Sequence, residues 1–256
     1  LALALATPFA AQALTIGFES GEGYSAGNLE GQPTSGTQWT RTNAPAAANV
    51  INVASGAGVG GSNGIVGVGT GGGSNFVYYG FNTTNADLGF TFNSSSSVLQ
   101  YSFDWRPTQD LDGTSASAIF AFMIGSDQNA GGSGAAQVTV RNNGVFVAQN
   151  GGAALTQAGL FTTNTFATIS GTIDYGANTY TVFVNGVQQF TGTNGGNLAF
   201  VNADSDNAFI RIGNLSGGSA DHRTWGLDNI TVIPEPSTLA LLGIAAGALA
   251  MFRRRK

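Results

Sequence analysis

The sequence predicts an all-β fold, two antiparallel sheets packed as a jelly-roll sandwich, with a single apolar helix at the C-terminus. Three observations carry this. Apolar and polar residues alternate along many short runs. Helical periodicity is nearly absent before residue 239. Asn-Gly pairs and Gly-rich turns punctuate the runs. A dozen or so short strands joined by tight turns favour a sandwich over other all-β forms. A β-helix or propeller needs a fixed repeat, and none is found.

The elements follow in chain order. Residues 1–13 read as the remnant of a signal peptide: Leu1 to Ala6 is an apolar stretch, and Ala11-Gln12-Ala13 is an A-x-A cleavage site. The mature protein is expected to begin at Leu14, and residues are expected to precede Leu1. Residues 14–233 form one domain, long enough for a sizeable core. A first strand is expected just before Glu19. The Gly-rich stretch 56–73 supplies little packing and is expected to be mostly mobile loop, with one buried strand around Ile65-Val66-Gly67-Val68.

Beyond it the alternation is clear. In 98–105, Leu99, Tyr101 and Phe103 share one face. Strands are expected at 118–124, at 137–141 and at 145–148, the last two joined by Asn143-Gly144. The run 166–174 is joined to 179–184 by Tyr175-Gly176-Ala177-Asn178. Tyr180, Val182 and Val184 alternate, and Asn185-Gly186 then leads into 187–190. Asn-Gly between alternating runs is a strong hairpin signal, because both turn residues must accept φ > 0. Strands at 209–212 and 225–232 complete the domain.

The last 23 residues differ in kind. Pro234-Glu235-Pro236-Ser237 cannot continue a strand, since proline lacks the N–H and fixes φ. The uncharged run 239–252 follows, then Arg253, Arg254, Arg255 and Lys256. At ~1.5 Å per residue this helix spans roughly 21–24 Å, short of the ~30 Å hydrocarbon core. The four cations are expected to snorkel on the cytoplasmic side, which places the body outside.

Composition excludes several functions. The whole chain has a net charge of −5, and four of its nine cations lie in the last four residues. The body keeps five arginines against thirteen acids, a balance that repels phosphates and disfavours nucleic acid. There is no Cys and one His, which excludes zinc sites of the usual kind and disulfides. Gly56, Gly58 and Gly61 have dinucleotide-fingerprint spacing but lie in low-complexity sequence without a strand–helix context. Gly60-Gly61-Ser62-Asn63-Gly64 matches the nucleophile elbow, but no helix follows, and His222 is the sole available base. No catalytic set is assembled, so a non-enzymatic role is expected.

Two resemblances add to this reading. The Pro-Glu-Pro-Ser motif, short Ala/Gly/Leu helix and terminal Arg cluster resemble the PEP-CTERM sorting signal of Gram-negative, often biofilm-forming, bacteria. That resemblance implies export and transient residence in the inner membrane. It also implies recognition by an exosortase-like membrane protease, then delivery to the cell surface or extracellular matrix. It covers about a tenth of the chain. Residues 179–186 and Phe209-Ile210-Arg211-Ile212-Gly213 are similar to a pattern of concanavalin A-like and laminin-G-like jelly rolls.

The jelly-roll resemblance implies a structural Ca²⁺ held by Glu19 and Asp228, because some carbohydrate-binding jelly rolls use a Phe-Glu near the start and an Asp near the end. Each acid alone is equally read as a turn or backbone acceptor. Trp105, beside Arg106-Pro107 at a strand end, is the ring expected to contact a ligand, with core packing the competing expectation. Three functions are therefore weighed: a surface or matrix interaction module, a lectin-like module for exopolysaccharide or other surface glycans, and a glycan-active hydrolase.

Overall fold

The computed structural model describes residues 13–35, 37–41, 50–69, 75–82, 98–108, 118–124, 136–141, 144–148, 154–157, 159–191, 194–200, 209–216 and 223–235. In chain order the strands are β1 (Leu14–Ile16), β2 (Gly27–Asn28), β3 (Trp39–Arg41), β4 (Val50–Ala54), β5 (Gly64–Gly69) and β6 (Asn75–Asn82). Next come β7 (Val98–Pro107), β8 (Ala118–Ile124), β9 (Ala136–Arg141), β10 (Gly144–Ala148), β11 (Ala154–Gln157) and β12 (Ala167–Asp174). The last are β13 (Thr179–Tyr180), β14 (Phe183–Val184), β15 (Val187–Gln188), β16 (Leu198–Ala199), β17 (Phe209–Ser216) and β18 (Arg223–Pro234).

They form two antiparallel sheets. The larger runs β15-β14-β12-β7-β18-β5-β4-β2, with β1 added beside β18 and β13-β16 beside β12. The smaller runs β11-β10-β9-β8-β17-β6-β3. The first strand and the last are neighbours, with Leu14 opposite Val232.

Alternation decides which face is buried. In β7 the odd residues Leu99, Tyr101, Phe103 and Trp105 are buried while Gln100, Ser102 and Asp104 point outward. Phe103 packs on Phe122 of the opposite sheet with ring centroids 4.2 Å apart, and Phe120 meets Trp225 edge-on at 4.8 Å. These rings join the two sheets into one core. A second aromatic group, Phe18, Tyr24 and Trp39, packs together, with Trp39 donating its indole N–H to the Tyr24 hydroxyl at 3.0 Å.

The Asn-Gly turn behaves as its chemistry requires. Asn185 and Gly186 have φ of 50° and 77°, and Val184 pairs with Val187 across them. At the other Asn-Gly pair the expectation shifts: Gly144 is the first residue of β10, paired with Arg141, and Asn143 lies outside the described residues. The 179–184 run is not one strand: Thr179–Tyr180 pairs with β16, and Phe183–Val184 pairs with β15. The close approach at Gly67 needs glycine. A Cβ on Gly67 would enter the indole of Trp225, which lies across β5.

The stretch from Gly56 to Asn63 is more ordered than the sequence predicts. It contains a 3-10 turn at Val59–Gly61 and leads into β5, where Ile65 is buried between β4 and β18. Distant charged side chains hold it through hydrogen bonds; residues 70–73 of the expected mobile stretch lie outside the described residues.

Candidate functional site

Three charged side chains converge on the 57–63 loop. Asp228 accepts a hydrogen bond from the Val59 N–H at 2.8 Å and from the Ser62 hydroxyl at 3.1 Å, both on Oδ2. Its Oδ1 accepts the Asn229 N–H at 2.8 Å. Glu19 Oε1 accepts the Asn63 N–H at 3.1 Å. Arg106 donates to the Ala57 carbonyl at 2.9 Å and lies over the Phe166 ring at 4.4 Å.

A bulge explains how Asp228 reaches the loop. The β18–β7 register shifts between Asp228 and Thr231, and Asn229 takes φ of 52°. Asp228 is 1% exposed. Burial raises its carboxyl above the usual range, the three donors pull it back in part, and Asp104 raises it further.

Glu19 and Asp228, the pair expected to hold Ca²⁺, both bond the 57–63 loop, Glu19 at Asn63 and Asp228 at Val59 and Ser62. Both Asp228 oxygens and Glu19 Oε1 accept N–H or O–H donors of the loop and of Asn229. Among the described residues no group of three or more His, Asp, Glu or Cys gathers. In this arrangement the two acids clamp the loop through Val59, Ser62 and Asn63.

The sequence-predicted ligand ring is placed elsewhere. Trp105 is fully buried, edge-on to Phe161 at 4.8 Å and beside Phe120 at 5.9 Å. It is in phase with Leu99, Tyr101 and Phe103, so the alternation of β7 carries it inward. Trp39 and Trp225 are also fully buried, so none of the three tryptophans offers a face to a ligand. Ser62, the elbow serine, is followed by strand β5 rather than a helix, and its hydroxyl is bound to Asp228 and to the Val59 carbonyl. His222 lies outside the described residues.

A different surface stands open. The outer face of the larger sheet carries a shallow cleft of about 330 Å³. Phe183, Ser170, Ser102 and Thr231 form one cross-strand row through it, and Thr172, Gln100 and Ile233 form the next. No charged side chain lines it. Asp104 and Asp228 are cross-strand neighbours, but Asp228 is buried and neither borders this cleft. Sequence reasoning missed this face, although its signal is the polar half of the alternation already used to find the core.

The C-terminal motif begins at the edge of the same cleft. Contrary to the sequence expectation, the strand does run into the motif: Pro234 is the last residue of β18, opposite Leu99, its missing N–H notwithstanding. The Glu235 N–H donates to the Val98 carbonyl at 2.8 Å, and Gln100 donates its side-chain N–H to Glu235 Oε1 at 2.9 Å. Pro236, Ser237, Arg253, Arg254, Arg255 and Lys256 lie outside the described residues, as does the apolar run 239–252. Among the described residues no helix is long and apolar enough to cross a membrane.

The fold and its C-terminal extension define a β-sandwich protein with a peptide signal attached to its last strand. Residues 232–256 match the family profile described as the PEP-CTERM protein-sorting motif, so the chain carries that signal. No curated protein matches the chain by sequence. Among solved structures, a sialidase aligns with TM-score 0.53 at 10% identity, covering 84% of this chain and 18% of that one. A botulinum neurotoxin serotype D binding domain aligns with TM-score 0.47 at 13% identity over 84% of this chain and 47% of that one. An alginate lyase of polysaccharide lyase family 7 aligns with TM-score 0.40 at 14% identity over 74% and 79%. The chain thus spans less than half the length of the first two, and the sialidase likeness concerns fold alone.

Proposed function

We propose that this is an exported, non-enzymatic protein of the bacterial surface or extracellular matrix, whose sandwich is an interaction module. The C-terminal signal routes it through the inner membrane to an exosortase-type protease. The observation that carries this reading is the sorting motif at 232–256, which continues directly from β18 of the folded body. In this reading the run 239–252 is the membrane helix, and the terminal cations hold it on the cytoplasmic side. The test is fractionation of the producing cell. Recovery of the body in the surface or matrix fraction supports the proposal, and retention of the intact chain in the cytoplasm overturns it.

A second reading is favoured by the outer-face cleft. Its lining of hydroxyls and one amide, with Phe183 and Ile233 for apolar contact, suits a neutral polyhydroxylated chain such as an exopolysaccharide. In this reading the module is lectin-like. Titration of surface polysaccharide against the wild type and Phe183→Ala tests it, and equal binding by both proteins removes the cleft from consideration.

A further inference from the structure

We infer that Gln100 is a positioning residue for the sorting step, holding the first part of the signal closed against the sandwich. The inference rests on the sorting reading above. The matched segment starts at Val232, which is fully buried and paired on both sides, with Leu14 of β1 and Tyr101 of β7. Ile233 and Pro234 pair with Gln100 and Leu99, and Pro234 is buried. The signal is therefore no free tail at its N-terminal end. Its first three residues are part of a central strand.

Among the described residues of the motif, Glu235 is held by a side chain of the body. Its N–H extends the ladder to Val98, and its carboxylate accepts from Gln100. The Gln100 contact thus closes the last described rung, and the residues from Pro236 on lie outside the described residues. Gln100 itself is exposed, and so is Glu235, so the contact contributes little to the core and can open without unfolding the domain. A protease that takes the Pro-Glu-Pro backbone into its own site must lift Glu235 off Val98 and Gln100 first. The rate of that lifting sets how fast a folded chain is processed.

The test uses the full chain in cells that contain the exosortase-type protease. Processing is followed by pulse labelling for wild type, Gln100→Glu and Gln100→Arg, with thermal unfolding of each body in parallel. Gln100→Glu replaces a donor with a like charge beside Glu235. It should process roughly five- to tenfold faster than wild type, the factor that opening one charge-assisted hydrogen bond allows. Gln100→Arg keeps a donor and adds a positive charge, so it should process at or below the wild-type rate. Equal or slower processing of Gln100→Glu overturns the inference, as does equal acceleration of both variants, which would mean general loosening. If the wild-type chain is not processed at all, the sorting reading itself fails and the inference falls with it.

Discussion

Asp228 and Val59 are joined by a 2.8 Å hydrogen bond across 169 residues of chain. Through that bond the last strand of the domain fixes a Gly-rich loop that has almost no side chains of its own to pack. Glu19 and Arg106 act on the same loop from either side of it. The charged residues most suggestive of a reactive site are thus spent on backbone amides and carbonyls.

Removal of the Asp228 carboxylate leaves the Val59 and Asn229 N–H groups without this acceptor, while the Ser62 hydroxyl keeps the Val59 carbonyl. Asp228→Ala should lose about 2–3 kcal/mol of unfolding free energy, measured by urea denaturation. Ser62→Ala removes one of the three donors and should cost less than 1 kcal/mol or so, near the ordinary net value of one hydrogen bond.

The same carboxylate gives a pH dependence of known sign. Its folded pKa lies above the ordinary aspartate value because it is buried. The folded state therefore holds the proton more tightly than the unfolded chain. The Asp228 contribution to stability is full below the unfolded pKa and falls as pH rises through the folded one. Asp228→Asn lacks this titration. The stability of wild type relative to Asp228→Asn should decline across that window, read from urea midpoints at stepped pH.

Gly58 is the point where the clamp tolerates no side chain. A Cβ there would sit 2.5 Å from Asp228 Oδ2 and against the Asn63 carbonyl. Gly58→Ala should cost about 2–3 kcal/mol, as overpacking does. Gly56→Ala meets no neighbouring atom, but its φ of 73° still carries the left-handed penalty of roughly 1 kcal/mol. Thermal melts of the two variants give the comparison.

With backbone N–H groups of Val59 and Asn63 as the partners of Asp228 and Glu19, chelation with EDTA should leave the melting temperature unchanged. A rise on adding Ca²⁺ would assign the pair to a metal instead.

Trp105→Ala should destabilise the body by about 3–5 kcal/mol, the cost of emptying a large aromatic site in a packed core. Any loss of glycan binding should then track the folded fraction. Circular dichroism beside a binding titration separates the two.

The strands with clean alternation were legible in the sequence, and so was the Asn185-Gly186 hairpin. Runs such as Gln100 to Asp104 and Thr168 to Thr172 alternate because one face meets the core and the other meets water. What alternation could not supply was the clamp. Asp228 falls on the outward phase of β18, and only a bulge and a distant loop bury it. A glycine run looks mobile when read alone, since its order comes from acids 44 and 166 residues away in sequence, on Asn63 and Ser62. Trp105 shows the reverse case. The phase of β7 already pointed it inward, and its place at a strand end argued weakly for the rim.

The short strands β2, β13 and β16 have two residues each, too few for any period to register. The tail needed no period at all. Its three parts are recognised by chemistry in order, and the profile match at 232–256 agrees with them.

The central claim is that the C-terminal signal governs where this sandwich goes. Mass spectrometry of the C-terminal peptide, on protein recovered from the cell surface or matrix, tests it most directly. The mature chain should retain β18 and lack Arg253 to Lys256, and a Pro234→Ala, Pro236→Ala double variant should keep them and stay with the membrane. An intact Lys256 on surface-localised wild-type protein, or identical fates for the wild type and the double variant, would contradict it.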